Sequence, residues 1–140
     1  MNILFMCVAN SARSQMAEGL ARKILGASAK IESAGSQPSK VNPLAVKAMQ
    51  EAGIDISRHY SKSFEDLPGD FVAGLSYIIT LCAEEVCPRM DSPAKKLHWP
   101  LPDPAGKEGD EASQLARFKE TRDAIAARIK DFAKETGIPL

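Results

Sequence analysis

"NILFMCVANSARSQMAEGLAR", residues 2–22, joins an unbroken apolar run to a small-residue turn and then to a stretch with helical periodicity. Ile3, Leu4, Phe5 and Met6 are too few for a helix and stop at a turn, so residues 2–6 are predicted as a strand buried on both faces. From Ser14 onward Met16, Leu20 and Ile24, with Ala17, Ala21 and Leu25, recur at three and four, and Glu18 and Arg22 form an i,i+4 pair. A helix is therefore expected directly after the turn, with Gly26 as its stop. Strand, short loop and helix in that order form the repeating unit of an α/β fold.

The rest of the chain continues the pattern. Residues 30–34 read as a second strand ending at Gly35. The polar loop "SQPSKVNP" (36–43) leads into a helix with Pro43 in its first turn, Leu44, Ala48, Met49 and Ala52 on its apolar face, and Gly53 as its close. "SKSFEDLPGD" (61–70) predicts a helical turn broken at Pro68 and Gly69. "YIITLC" (77–82) is a β-branched and aromatic run, expected to be a central strand ending at Cys82. "KKLHWPL" (95–101) predicts a fourth strand cut short by Pro100 and Pro102, and "PDPAGKEGDEAS" (102–113) is a charged loop rich in Pro and Gly. Leu115, Phe118, Ile125, Ile129 and Phe132 then mark a long amphipathic helix from about residue 112. The expected fold is a single three-layer α/β domain over residues 1–140, a small four-stranded parallel sheet with helices on both faces. Such sheets bind ligands beyond the carboxyl ends of their strands, where Cys7 and Cys82 are both predicted.

Composition excludes several function classes. The 140 residues carry 18 Lys plus Arg against 18 Asp plus Glu, with no block of either sign, so no nucleic-acid or anionic-membrane partner is expected. The first apolar run is too short for a membrane span or a signal-peptide core, and the chain is expected in the cytoplasm. Three cysteines are an odd count, which argues against a fixed disulfide framework and fits a reducing compartment.

Residues 7–14, "CVANSARS", carry the chemistry. A loop from a strand into a helix N-terminus presents backbone N–H groups and partial positive charge, a seat for an oxyanion. The same field favours a thiolate at Cys7, so its nucleophilic form is expected at neutral pH. Arg13 brings a planar fork for two oxygens of a tetrahedral anion. Asn10 suits a turn with unusual dihedrals, and Ser14 can cap the helix and donate to the sulfur. The oxyanion seat is thus assigned to Val8, Ala9, Asn10, Ser11, Ala12, Arg13 and Ser14. Asp103, directly before Pro104, reads on its own as a turn residue of the charged loop.

"CVANSARSQMAEGLAR" resembles the phosphate-binding loop and first helix of the low-molecular-weight protein-tyrosine-phosphatase fold. "ESAG", "NP", "DIS" followed by His59, "TLC" and "HWPLPDPAG" resemble, in order, the arsenate reductases built on that fold. The resemblance implies that Cys7 is the nucleophile, Arg13 binds the oxyanion, Ser14 supports the thiolate and Asp103 is the general acid. It also implies a thiol relay. Cys7 attacks arsenate, Cys82 attacks Cys7 and expels arsenite, Cys87 attacks Cys82, and an external reductant recycles the Cys82–Cys87 disulfide. Disulfide geometry then requires residues 82–87 to loop or unwind, so residues 83–88 are expected to be irregular.

The later cysteines lie closer together than in the best-known thioredoxin-coupled relatives. That spacing departs from the thioredoxin-coupled pattern; the resemblance as a whole still implies thioredoxin as the donor, with glutaredoxin and glutathione as the alternative. Some relatives hold a potassium ion through residues matching Asn10, Glu18 and Ser33 and a later acidic residue. Lys62 stands in that last place, and its ammonium is expected to replace the ion and tether Glu18. No metal centre is expected, since His59 and His98 lack metal-type spacing to the cysteines; both, like Trp99, read as structural. The chain is expected to act as a monomer. Two other readings remain, a low-molecular-weight phosphatase and a non-catalytic arsenite-binding thiol sensor. Cys82 with Cys87 argues against the first, Arg13 with Asp103 against the second.

Overall fold

A computed structural model describes residues 1–83, 87–105 and 108–139. The elements are β1 (Asn2–Cys7), α1 (Arg13–Leu25), β2 (Lys30–Gly35), α2 (Pro43–Glu51), α3 (Gly69–Ala73), β3 (Leu75–Thr80), β4 (Lys95–His98) and α4 (Glu111–Thr136). Short 3₁₀ turns occupy Gly26–Ser28 and Phe64–Asp66.

The four strands form one parallel sheet in the order β2-β1-β3-β4, so β1 and β3 are interior, as their apolar runs require. Alternation along β1 sends Ile3 and Phe5 to one face and Leu4 and Met6 to the other. Ile3 and Phe5 join a core built with α1, α2 and α4, including Met16, Leu20, Met49, Phe118, Ile125 and Ile129. Leu4 and Met6 pack with Ala34, Leu67, Phe71 and Ile78 in a smaller cluster under α3. Helices therefore cover both faces, giving the expected three layers. Trp99 is 7% exposed, with its ring 6.1 Å from that of Phe5 and 5.9 Å from that of Phe132, a packing role.

Three local expectations need correction. Pro68 and Gly69 open a helix as well as ending a turn: Val72 N donates to Pro68 O, and α3 starts at Gly69. β3 stops at Thr80, two residues before Cys82. Leu81 N still reaches Met6 O and Trp99 N reaches Thr80 O, but Leu101 N donates to Leu81 O, one residue out of step with the every-second-residue ladder, so regular pairing with β4 ends at Thr80. Ser14 does not cap α1; Ala12 holds the N-cap position without a side-chain bond, and Ser14 lies inside the first turn. Ala83, Cys87 and Pro88 lie outside helix and strand, as expected; 84–86, the rest of that stretch, fall outside the described residues.

Gly35 ends β2 directly beneath the loop after β1. A methyl group there would collide with the Val8 carbonyl oxygen and lie 2.8 Å from Cys7 O and 2.9 Å from Asn10 N. All three neighbours are backbone, so no side chain can swing away. Gly35→Ala is expected to destabilise the fold by about 3 kcal/mol, the upper range for overpacking, and to slow Cys7 alkylation. Urea midpoints and alkylation rates check both; unchanged values would show that the loop shifts freely.

Candidate active site

The loop between β1 and α1 is held from outside. Gln37 N donates to Val8 O at 2.9 Å, Ser39 N to Ala9 O at 3.1 Å and Asn42 N to Ser11 O at 3.0 Å, while Ser61 Oγ donates to Asn10 O at 2.7 Å. Across a planar trans peptide the N–H points away from its carbonyl, so these bonds turn the following amides away from their outer partners. Asn10 takes φ 48°, the left-handed region that Asn tolerates better than most residues. The N-terminus of α1 has neither a side-chain cap nor an acidic residue in its first turn. Such a terminus leaves donors for an anion.

A cavity of about 300 Å³ opens there, lined by Cys7, residues 8, 9, 11 and 12, Arg13, Ser39, Asp103 and Ala105. Cys7 is 2% exposed and free, with Sγ 2.8 Å from Ser14 Oγ. The surrounding bonds decide which of the two donates. Asn10 Oδ1 accepts from Gln15 Nε2 at 2.9 Å and Lys62 N at 3.0 Å, so its amide nitrogen faces the hydroxyls of Ser14 at 2.8 Å and Ser33 at 3.0 Å. Ser14 Oγ accepts from Asn10, which leaves its own proton for the sulfur. The Cys7 sulfur is therefore the acceptor of this bond.

Arg13 reaches the cavity from α1. It is 5% exposed; its Nη1 donates to Leu101 O at 2.9 Å and reaches Leu81 O at 3.5 Å. Its Nη2 lies 3.9 Å from Asp103 Oδ2. Arg13 thereby ties the segment carrying Asp103 to the rim of the loop. Asp103 is also set locally, since its Oδ1 accepts from Ala105 N at 3.0 Å, and its side chain is 41% exposed.

Cys82 follows Leu81, whose amide extends the pairing of β3 with β1 at Met6, so Cys7 and Cys82 leave adjacent strand ends. Cys82 is 1% exposed and disulfide-bonded to Cys87, with their Cα atoms 5.7 Å apart. That spacing is normal for a disulfide.

Behind the loop, Glu18, Ser33, Asn10 and Gln15 are buried polar residues. Glu18 Oε1 accepts from Ser33 Oγ at 2.6 Å and lies 3.3 Å from Lys62 Nζ; Glu18 Oε2 lies 2.9 Å from Arg22 Nη1, the predicted i,i+4 pair. The residues that the resemblance associates with a potassium ion do not fit one here. A hard cation takes oxygen ligands, but Asn10 offers its N–H₂ group on this side, and the Lys62 ammonium already faces the carboxylate. Among the described residues no group of three or more His, Cys, Asp or Glu could hold a metal ion.

Gln15, Ser61, Gly35 and the Leu101 carbonyl were not foreseen as parts of this site. Gln15 Nε2 also donates to Tyr60 O at 3.0 Å and its Oε1 lies 3.0 Å from His59 Nδ1, contacts no local pattern encodes. His59 lies 3.4 Å from Glu18 Oε2. Burial pushes its pKa below the ordinary 6.5; Glu18 and Asp55 pull it back, and Arg22 and Lys62 push it further down. A histidine with a depressed pKa contributes stability that is present above the unfolded value and lost as pH falls through the folded one. Between about pH 7.5 and about pH 5.5 the wild type is expected to lose more stability than His59→Gln, read from urea midpoints. Equal losses would show that His59 is not what makes stability pH-dependent there.

Residues 2–137 match the low molecular weight phosphotyrosine protein phosphatase family. An arsenate reductase of Bacillus licheniformis is 47% identical over 137 residues, covering 96% of each chain. A solved arsenate reductase in the phosphate-binding state superposes with a TM-score of 0.77 at 30% identity, over 99% of this chain and 98% of that one. A thioredoxin-dependent arsenate reductase of Corynebacterium glutamicum gives a TM-score of 0.71 at 31% identity, over 96% of this chain and 60% of that one. Sequence and backbone agree along nearly the whole length, and the chain belongs to the low-molecular-weight phosphotyrosine protein phosphatase family, on the branch of the arsenate reductases.

Proposed function

We propose that this chain reduces arsenate to arsenite through a relay of three thiols, with residues 1–140 acting as one domain. The Cys7 thiolate attacks the arsenic of an arsenate seated on residues 8–14 and forked by Arg13. A sulfur–arsenic bond forms and, with a proton from Asp103, an oxygen leaves as water. The Cys82 thiolate then attacks the Cys7 sulfur. A disulfide forms, the sulfur–arsenic bond breaks, and its electron pair stays on arsenic, which departs as arsenite. Cys87 attacks the Cys82 sulfur and frees Cys7 as a thiolate. Two thiols have then supplied the two electrons.

The observation that carries this reading is the bond between Cys82 and Cys87 beside a free Cys7 that accepts from Ser14. A phosphatase would use Cys7, Arg13 and Asp103 with water and have no role for that pair.

Recycling falls to an external dithiol, and the reading favours thioredoxin, the donor of the Corynebacterium glutamicum relative. Cys87 lines a groove of about 490 Å³ with Arg89, Lys96 and His98, whereas Cys82 is buried, so the incoming thiolate meets the Cys87 sulfur. The enzyme works as a monomer in the cytoplasm on this reading. No described helix is long and apolar enough to cross a membrane.

The test is single-turnover arsenite release by fully reduced protein without added reductant, with thiols mapped by mass spectrometry. About one arsenite per chain and a two-proton loss at Cys82 and Cys87 are expected. Sustained turnover should then follow with thioredoxin and its reductase rather than with glutaredoxin and glutathione. Absence of arsenite, with Cys7-dependent hydrolysis of an aryl phosphate, would establish a phosphatase instead. Tight arsenite binding without turnover would establish a sensor.

A further inference from the structure

We infer that Lys62 supplies, from within the chain, the monovalent positive charge that holds the polar network behind the Cys7 loop, so that the enzyme needs no bound metal cation. The inference rests on Cys7 being the reacting thiolate of the proposed relay.

A carboxylate 2% exposed to solvent requires cations, because an unpaired buried charge is strongly destabilising. Glu18 has two permanent ones. Arg22 lies at 2.9 Å with a half-exposed side chain, and Lys62 at 3.3 Å with a side chain only 6% exposed. Lys62 also lies 3.6 Å from Glu32 Oε1, and Arg22 lies 3.6 Å from Glu32 Oε2. Two carboxylates thus face two permanent cations, and the cluster is balanced while His59 is neutral. The Tyr60 ring stands 5.2 Å from the ammonium. Arg58 borders the same site, and Asp55 acts on His59.

A chain of bonds links that cluster to the nucleophile, diverging in both directions from the Asn10 amide. Ser33 donates to Glu18, Asn10 donates to Ser33 and to Ser14, and Ser14 is left to donate to the Cys7 sulfur. Lys62 is a positioning residue in this arrangement, acting through Glu18. Its backbone plays a separate part, since Lys62 N donates to Asn10 Oδ1, and Lys62 O accepts from Gly35 N at 3.0 Å. Replacing the side chain therefore removes the charge while leaving those backbone bonds available. It also leaves one uncompensated negative charge beside a cavity of about 230 Å³ that opens onto Glu18, Glu32 and position 62. A small monovalent cation can then take the place of the ammonium.

The experiment uses the oxidised protein, in which Cys7 is the free thiol, and follows its alkylation by iodoacetamide against pH in chloride salts of potassium, ammonium or choline at equal ionic strength. Wild-type rates are expected to agree within about twofold across the salts. Lys62→Ala in choline is expected to alkylate about tenfold more slowly near neutral pH, with its half-maximal rate moved to higher pH. Potassium or ammonium should restore it. Potassium activation of the wild type would overturn the inference, as would a Lys62→Ala rate equal to wild type in choline or a loss that no small cation repairs. If Lys62→Ala does not fold, Lys62→Met and the wild-type salt comparison decide. None of these readouts requires arsenate, so failure of the proposed reaction is seen separately, in the arsenite assay.

Discussion

Cys87→Ser is expected to release about one arsenite per chain and then to stop, with steady-state turnover falling to background. The first two transfers need only Cys7 and Cys82, which leave adjacent strand ends. Without a thiol at position 87 the chain is left with a Cys7–Cys82 bond. Cys82 is 1% exposed and Cys7 2%, so an external protein thiol has no access to either sulfur. Thiol exchange requires access to the attacked sulfur as well as a good nucleophile. The check is arsenite counted in one turnover and then with excess thioredoxin and its reductase, with the trapped disulfide mapped by mass spectrometry. Normal steady-state turnover would remove Cys87 from the path and mean that the first disulfide is reduced directly.

Arg13→Lys is expected to lower kcat/KM for arsenate by about a hundred- to a thousandfold, the cost of losing one preorganised donor to a developing anion. Arginine does two things at once in this site. One nitrogen holds Leu101 O at 2.9 Å, and the other lies 3.9 Å from Asp103, so the fork links the anion seat to the segment that carries the acid. Lysine keeps the charge but is a point donor without a planar fork, and it cannot serve both directions. The loss is expected in kcat as well as KM, because the acid is mispositioned along with the substrate. A loss confined to KM would show that Arg13 contributes only ground-state binding and leaves Asp103 in place.

Much of this arrangement is legible in the amino-acid sequence. The strand over residues 2–6, the helix from about Ser14, the Gly26 stop and the Glu18–Arg22 pair follow from spacings of a few residues, and the structure repeats them. The departures depend on weaker or competing local signals. α3 has five residues and buries only Phe71, too short for periodicity to register beside a Pro-Gly break. The end of β3 depends on a partner segment distant in sequence, whose Leu101 amide falls one residue out of step with the ladder. Ser14 has the composition of a cap, but it lies inside the first turn, where its hydroxyl accepts from Asn10 and donates to Cys7.

The sequence by itself determined the α/β class, the loop from Cys7 to Ser14 and the candidate nucleophile, because these depend on contacts between residues a turn or a strand apart. Only the tertiary structure decided which distant groups complete the site. Arg13 meets the carbonyl of Leu101, Gln15 meets the backbone of Tyr60, Asn10 meets Ser33 and the amide of Lys62, and Gly35 makes room beneath Val8. Those partners lie up to 88 positions apart and are brought together by the strand order β2-β1-β3-β4, which lines up the carboxyl ends of the strands. Asn10, held by these distant partners, donates to the Ser14 hydroxyl, and it is this closure, set by the whole fold, that directs the Ser14 proton toward the sulfur of Cys7.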